Sequence, residues 1–264
     1  MRGAEKMRVL SLFAGIGGFD LGLERTGGFE TVAFCEIDPF AQRVLKNHWP
    51  KVPVYDDVRE VRASLLAASG IAVDVIVGGF PCQDISTQGL QAGITGERSG
   101  LWSEIARLAG ELRPKIIIVE NVSALLGNGM GKVLGDLASL GYDAEWHCIP
   151  ASYIGASHER DRVWIIAHPA EVNGSEADSQ GIQLLAERII LECGKARSSA
   201  FCEHEGRSTI RLDGEPALCG KDDGVSYSLV QSQLERYGNA VVPQIPELIG
   251  RAILASTTPP HGGK

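Results

Sequence analysis

The chain has 264 residues, 44% of them hydrophobic and 22% charged, a balance that fits a globular protein with one sizeable core and excludes disorder for most of its length. No apolar run approaches the roughly 18 residues of a membrane span, and the first residues lack a charged-then-apolar signal pattern, so the expected location is the cytoplasm. The net charge of −8 argues against a passive nucleic-acid coat, because non-specific affinity comes from neutralised phosphates.

Met7 to Phe13 predicts a first strand, and Ala14-Gly15-Ile16-Gly17-Gly18 then turns into an amphipathic stretch through Leu21, Leu23 and Glu24. Glycines at such a turn let the backbone approach a ligand, but alone they read equally well as a tight turn. Thr31 to Cys35 predicts a second strand ending in Glu36-Ile37-Asp38-Pro39. An acid at that strand end is placed to accept hydrogen bonds from ribose hydroxyls, which assigns Glu36 to a nucleoside, while Asp38-Pro39 reads as a helix start with Asp as the cap. Phe40, Val44 and Leu45 give that helix an apolar face. Asp56-Asp57-Val58 follows the short apolar piece Val52 to Tyr55 and precedes a helix-like stretch around Val61, Leu65 and Leu66. Asp57 reads either as another cap or as a partner for an adenine amine.

Val73 to Val77 predicts a buried strand that Gly78-Gly79-Phe80-Pro81 ends abruptly, leaving Cys82 at its carboxyl edge. A lone cysteine is more often a buried structural thiol than a nucleophile. The polar run Gln83 to Gly100, punctuated by Gly89, Gly93, Gly96 and Gly100, is long for a loop in a compact domain and reads as a lid. Leu101 to Leu112 predicts a helix, and Pro114 to Val122 the strongest strand of the chain, four aliphatics ending in Glu120. A carboxylate at a buried strand end is costly unless hydrogen-bonded, so Glu120 either orients a loop or takes part in chemistry. Val133 to Leu140 predicts a helix, and Glu145 to Ile149 and Arg162 to Ala167 two strands. Between those strands lies His158-Glu159-Arg160-Asp161-Arg162, whose alternate arginines point to one face of an extended segment.

Residues 168–235 hold 12 Asp/Glu against 6 Lys/Arg, a net of −6, whereas the remainder holds 21 against 19, a net of −2. This acidic, Gly- and Ser-containing segment reads as an insert, with a helix from Ile182 to Leu191. The six cysteines include no C-x-x-C pair, and Cys202 with His204 matches no metal-ligand spacing, so no metal is expected. Gly238-Asn239-Ala240-Val241-Val242-Pro243 leads into an amphipathic helix, Ile245 to Ala255, which should pack back on the sheet. The expected organisation is a cofactor-binding and catalytic domain over 1–167, an insert over 168–235, a completing segment over 236–256 and a tail over 257–264.

Alternating strands and helices with a glycine-rich first turn predict an α/β, doubly wound sheet with ligands at the strands' carboxyl ends. The glycine turn, Glu36, Asp57, Cys82 and Glu120 all fall there, and a cysteine nucleophile with an acid across a nucleoside pocket suits covalent catalysis on an electron-poor ring.

On these blocks the chain resembles the DNA (cytosine-5)-methyltransferases: Phe13-Ala14-Gly15-Ile16-Gly17-Gly18-Phe19, Glu36, Asp57, Gly79-Phe80-Pro81-Cys82-Gln83 with Ser86, Glu120-Asn121-Val122, Arg160-Asp161-Arg162 and Gly238-Asn239-Ala240-Val241 occur in the family's order. The resemblance implies a Rossmann-like S-adenosylmethionine-dependent fold and methylation of carbon 5 of a cytosine flipped out of double-stranded DNA. It implies Cys82 as nucleophile, Glu120 on ring nitrogen 3 and the amine, Arg162 on the 2-oxo group and Arg160 on ring and backbone. It places S-adenosylmethionine against Phe13, Ala14, Gly15, Ile16, Gly17, Gly18, Glu36, Ile37, Asp57, Val58, Pro81, Leu101, Asn239 and Ala240, and DNA against Gln83, Ser86 and Arg98. The chain departs from the family in its short acidic insert, in the missing block before the last one, and in His158, where the family has Gln. These departures predict a short or loosely defined site, or reliance on a partner chain or self-association. An RNA cytosine methyltransferase, an idle regulatory subunit and a nicotinamide-dependent dehydrogenase are the competing readings.

Overall fold

A computed structural model describes residues 5–81, 101–154, 161–170 and 240–257. Among these residues seven strands form one sheet in the order β3-β2-β1-β4-β5-β7-β6. The strands are β1 Met7–Leu12, β2 Phe29–Cys35, β3 Val54–Tyr55, β4 Val75–Gly78, β5 Ile116–Val122, β6 Tyr142–Pro150 and β7 Asp161–Pro169. β3, β2, β1, β4 and β5 run parallel, whereas β7 lies antiparallel between β5 and β6. The central strands are near-continuous aliphatic runs because helices cover both faces of the sheet.

One face carries Leu10, Leu12, Ile76, Ile117 and Val119 beneath α3 Ala63–Ala68, α4 Trp102–Leu112 and α5 Met130–Ser139. The other carries Val9, Val75, Val77, Ile118, Trp164 and Ile166 beneath α1 Gly18–Arg25 and a last helix, α6, Gln244–Thr257. In α4, Trp102, Ile105, Leu108 and Ala109 fall at helical spacing and are all fully buried. The helix ends where Arg113 turns left-handed, at φ 49°, before Pro114. α2, Pro39–His48, starts as the sequence predicts: Asp38 is its cap, the Phe40 N–H donates to Asp38 Oδ1 at 2.9 Å, and Pro39 occupies the first helical position.

α6 packs against α1 and the sheet. Ile245, Ile249, Ala252 and Ile253 are 0–2% exposed, and each buried isoleucine contributes roughly 2 kcal/mol to the docking. Its approach requires two glycines one turn apart on α1. A methyl at Gly18 would lie 2.2 Å from the Val241 carbonyl oxygen, and one at Gly22 would lie 2.1 Å from that of Pro243. No described helix is long and apolar enough to cross a membrane. The expected insert lies outside the described residues except for 168–170, where β7 extends to Pro169.

Candidate functional site

The sheet order reverses at β1, whose neighbours are β2 on one side and β4 on the other, and β1 ends at this switch point. The chain leaves β1 through Phe13 in the left-handed region, φ 53°, a conformation that costs a non-glycine residue on the order of 1 kcal/mol. Gly15 (φ 56°) and Gly17 (φ 84°) continue the turn, which the Ala14 N–H secures by donating to the Cys35 carbonyl at 3.2 Å. Phe13, Ala14, Gly15, Ile16 and Ala240, all expected to contact a cofactor, line one hollow. Gly79, Glu120 and Val241 line it too, together with Ser11 and Phe19. Ser11 carries no motif signal beyond adjacency to the glycine turn, and Phe19, the last residue of the glycine block, carries no expected contact of its own.

Glu36 sits beside this hollow, at the end of β2. Its Oε2 accepts from the Gly15 N–H at 2.7 Å and its Oε1 from the Asp38 N–H at 2.8 Å, so the carboxylate ties the β1 turn to the start of α2. Each carboxylate oxygen accepts two hydrogen bonds, which leaves room for ribose hydroxyls as well. A methyl on Gly15 would meet nothing within 4 Å, so the turn backbone is open to a ligand there. A nucleoside-bearing cofactor fits this donor set.

Other expected contacts lie elsewhere. Gly17 and Gly18 do not line the hollow: a methyl on Gly17 would strike Trp49 at 2.6 Å, and Gly18 makes space for Val241. Both glycines serve packing. Val58 is a core side chain, 4% exposed. Ile37 is 72% exposed, Leu101 packs partly buried against the first core, and Pro81 is half-buried. Asp57 accepts from the Arg59 backbone N–H at 3.0 Å and is gripped by the Arg59 guanidinium at 2.6 Å. That hydrogen bond holds its carboxyl below the usual carboxylate range. Cys82, Gln83, Ser86, Arg98, Arg160, Asn239, Cys202 and His204 lie outside the described residues.

Glu120, two residues before the end of β5, lines the hollow and is 9% exposed. Arg162 reaches it from the start of β7, with Nε 3.0 Å from Oε1. The two are diagonal neighbours on one sheet face, since Glu120 pairs with Trp164 and Val122 with Arg162. Arg162 Nη1 also donates to the Asp161 carbonyl at 2.9 Å, which steadies the guanidinium. A methyl on Gly79 would stand 3.0 Å from Glu120 Oε2, so the glycine keeps space beside the acid. Asn121, on the opposite face of β5, donates from Nδ2 to the Phe80 carbonyl at 3.1 Å. Behind the turn is a group that sequence reasoning missed: Asp20 on α1, fully buried, accepts from Ser11 Oγ at 2.9 Å and Thr31 Oγ1 at 3.1 Å. Burial pushes its carboxyl up to about 7. Among the described residues no three His, Cys, Asp or Glu side chains converge to hold a metal.

The family model described as "C-5 cytosine-specific DNA methylase" matches residues 7–191. The type II methyltransferase M2.BsuMI of Bacillus subtilis is 38% identical over 169 residues, 61% of this chain and 42% of its own length. The type II methyltransferase M.Eco47II of Escherichia coli is 37% identical over 216 residues, 78% of this chain and 51% of its own. Among solved structures, a putative DNA modification methyltransferase encoded within an E. coli prophage aligns with a TM-score of 0.53 at 26% identity, covering 62% of this chain and 47% of that one. The S. pombe Dnmt2 methyltransferase shares the fold, with a TM-score of 0.53 at 19% identity over 65% of this chain and 52% of that one. The chain spans about half the length of the curated relatives it matches.

Proposed function

The chain belongs to the C-5 cytosine-specific DNA methylase family, and from that premise we propose that it transfers a methyl group from S-adenosylmethionine to carbon 5 of a cytosine flipped out of double-stranded DNA, through a covalent Cys82 adduct. The observation that carries the reading is the Glu120–Arg162 pair: a carboxyl group 9% exposed, fixed by a guanidinium at 3.0 Å, lining a hollow that the glycine turn also lines.

Carbon 5 of cytosine is a poor nucleophile, and thiolate addition at carbon 6 converts the ring to an enamine that is not. Cys82 makes that addition. Glu120 hydrogen-bonds ring nitrogen 3 and the exocyclic amine, offsetting charge that develops on the ring. Arg162 holds the 2-oxo group and keeps Glu120 in place, and Arg160 positions ring and backbone. S-adenosylmethionine, when bound, supplies an electrophilic methyl group on a sulfonium. Glu36 would accept hydrogen bonds from its ribose hydroxyls while Phe13, Ala14, Gly15 and Ile16 would wall it in. After methyl transfer the carbon 5 proton departs to a base, and elimination returns the thiolate. The resemblance assigns Gln83, Ser86 and Arg98, which lie outside the described residues, to DNA.

DNA containing 5-fluorocytosine tests the reading, because fluorine at carbon 5 blocks the final elimination. Incubated with the methyl donor, the chain should form a gel-stable adduct that Cys82→Ser abolishes. An adduct on RNA alone would move the assignment to an RNA cytosine methyltransferase. The net charge of −6 over residues 168–235 supports a short or loosely defined target site, or recognition shared with a partner chain. Bisulfite mapping that returned a long, strictly defined site for the purified chain would overturn that.

A further inference from the structure

Where β4 ends, the two residues that follow it, Gly79 and Phe80, are met from opposite faces of the sheet by two consecutive residues of β5. On one face Glu120 Oε2 lies close against Gly79, with 3.0 Å to the position of a would-be methyl. On the other face Asn121, 2% exposed, donates from Nδ2 to the Phe80 carbonyl at 3.1 Å while its Oδ1 accepts from the Val122 N–H at 2.9 Å. The amide is thereby locked in orientation, because swapping its oxygen and nitrogen would break both bonds.

The Phe80 side chain is held as firmly as its carbonyl. It is 2% exposed, with its ring centroid 5.7 Å from that of Trp102 at the start of α4. Trp102, fully buried, donates from Nε1 to Asp136 Oδ2 of α5 at 2.8 Å, and Lys132 Nζ meets the same oxygen at 2.7 Å. A chain of contacts thus runs from the surface pair Lys132–Asp136 through Trp102 to Phe80, and from there to Asn121, the residue beside Glu120.

We propose that Asn121, backed by Trp102 and Asp136, is a positioning residue that fixes the Phe80 carbonyl, and with it the point where the chain leaves β4, relative to the Glu120 carboxyl. The inference rests on the function proposed above. Its physical basis is sharing of one strand end: Glu120 and Asn121 move as a unit, so a bond from Asn121 to Phe80 ties the start of the nucleophile segment to the acid across the base. A misplacement of about 1 Å at a reacting centre costs on the order of 100-fold in rate.

The experiment is single-turnover adduct formation on 5-fluorocytosine DNA, read with S-adenosylmethionine affinity by calorimetry and with the thermal midpoint. Asn121→Asp keeps the acceptor for Val122 and replaces the donor with an oxygen facing the Phe80 carbonyl. It should form adduct about 100-fold more slowly than the unaltered protein, with affinity for the methyl donor changed less than about threefold, a loss of about 0.6 kcal/mol or less. Asp136→Leu, at a half-buried position remote from the pocket, removes the Trp102 acceptor and should slow adduct formation about 10-fold with the same affinity. Adduct rates within about threefold of the unaltered protein in both variants would overturn the inference while leaving the function standing. Equal losses of rate and donor affinity would overturn it too, since they mark general loosening. Should Asn121→Asp not fold, Asp136→Leu alone decides. No adduct by the unaltered protein on either nucleic acid would remove the function and the inference together.

Discussion

Glu120 and Arg162 face each other diagonally across an antiparallel strand pair, Nε 3.0 Å from Oε1, so the acid of the site is braced by a strand that enters the sheet out of chain order. Arg162→Ala leaves a nearly buried carboxylate without this partner and should destabilise the fold by about 3 kcal/mol. Arg162→Ala combined with Glu120→Gln should recover part of that loss while activity stays absent. Urea denaturation of the four proteins in a double-mutant cycle gives the coupling, and additive losses would mean that the pair does not interact.

Glycines at the first turn should separate into two classes. Gly18→Ala and Gly22→Ala drive a methyl into backbone oxygens of the 241–243 segment, at 2.2 and 2.1 Å, and should cost at least the 1–3 kcal/mol or so of an overpacked core. Hydrogen exchange should show lost protection over α6 in both. Gly15→Ala meets no atom, so its stability loss should stay near the roughly 1 kcal/mol of a left-handed alanine, while affinity for S-adenosylmethionine falls.

Glu36 joins Gly15 to Asp38 through its two carboxylate oxygens. Glu36→Gln retains one acceptor and should bind S-adenosylmethionine at least about tenfold more weakly, a loss of about 1.4 kcal/mol or more. Glu36→Ala should also move the amide NMR signals of Gly15 and Asp38. Unchanged signals would show that the turn holds itself without the acid.

Two buried-end acids impose opposite pH dependences. Asp20 titrates near 7 when folded and near 4 when unfolded, because burial disfavours its charge. The folded protein therefore holds a proton that the unfolded chain has released across this interval, so the contribution is complete below about pH 4 and is lost as pH rises through about 7. Asp74 is displaced the other way by its hydrogen bond from Arg8, with Lys115 at 3.0 Å, so its contribution is present above about pH 4 and fades on acidification. Asp20→Asn should flatten the decline in urea midpoint between pH 5 and 8, and it should be at least as stable as the unaltered protein at pH 8. A decline as steep as before would detach Asp20 from it.

Local signals carried much of this structure. Asp38-Pro39 starts α2, the aliphatic run before Glu120 is β5, and the glycine turn lies at the end of β1, because caps, periodicity and positive φ are properties of short stretches. Strand order is not. Nothing near Arg162 announces that β7 inserts between β5 and β6, nor that Tyr142 begins β6 three residues before the predicted Glu145, where its hydroxyl donates to the Pro114 carbonyl at 2.8 Å. Partners distant in sequence decide the rest. Gly17 and Gly18 read as ligand contacts from their motif, and nothing in that motif shows that a side chain there would strike Trp49 or Val241. Val58 reads as a cofactor neighbour with no sign that its side chain belongs to the core, and Asp20 sits at an ordinary helix position until Ser11 and Thr31 surround it.

Synthesis proceeds from the amino end, so the sheet can assemble while Ile245, Ile249 and Ile253 have yet to leave the ribosome. Until they do, Val9, Val75 and Ile118 form an oily face that α1 covers only in part on the nascent chain. Chaperone capture should thus peak when translation stalls just before residue 240 and vanish once α6 has emerged.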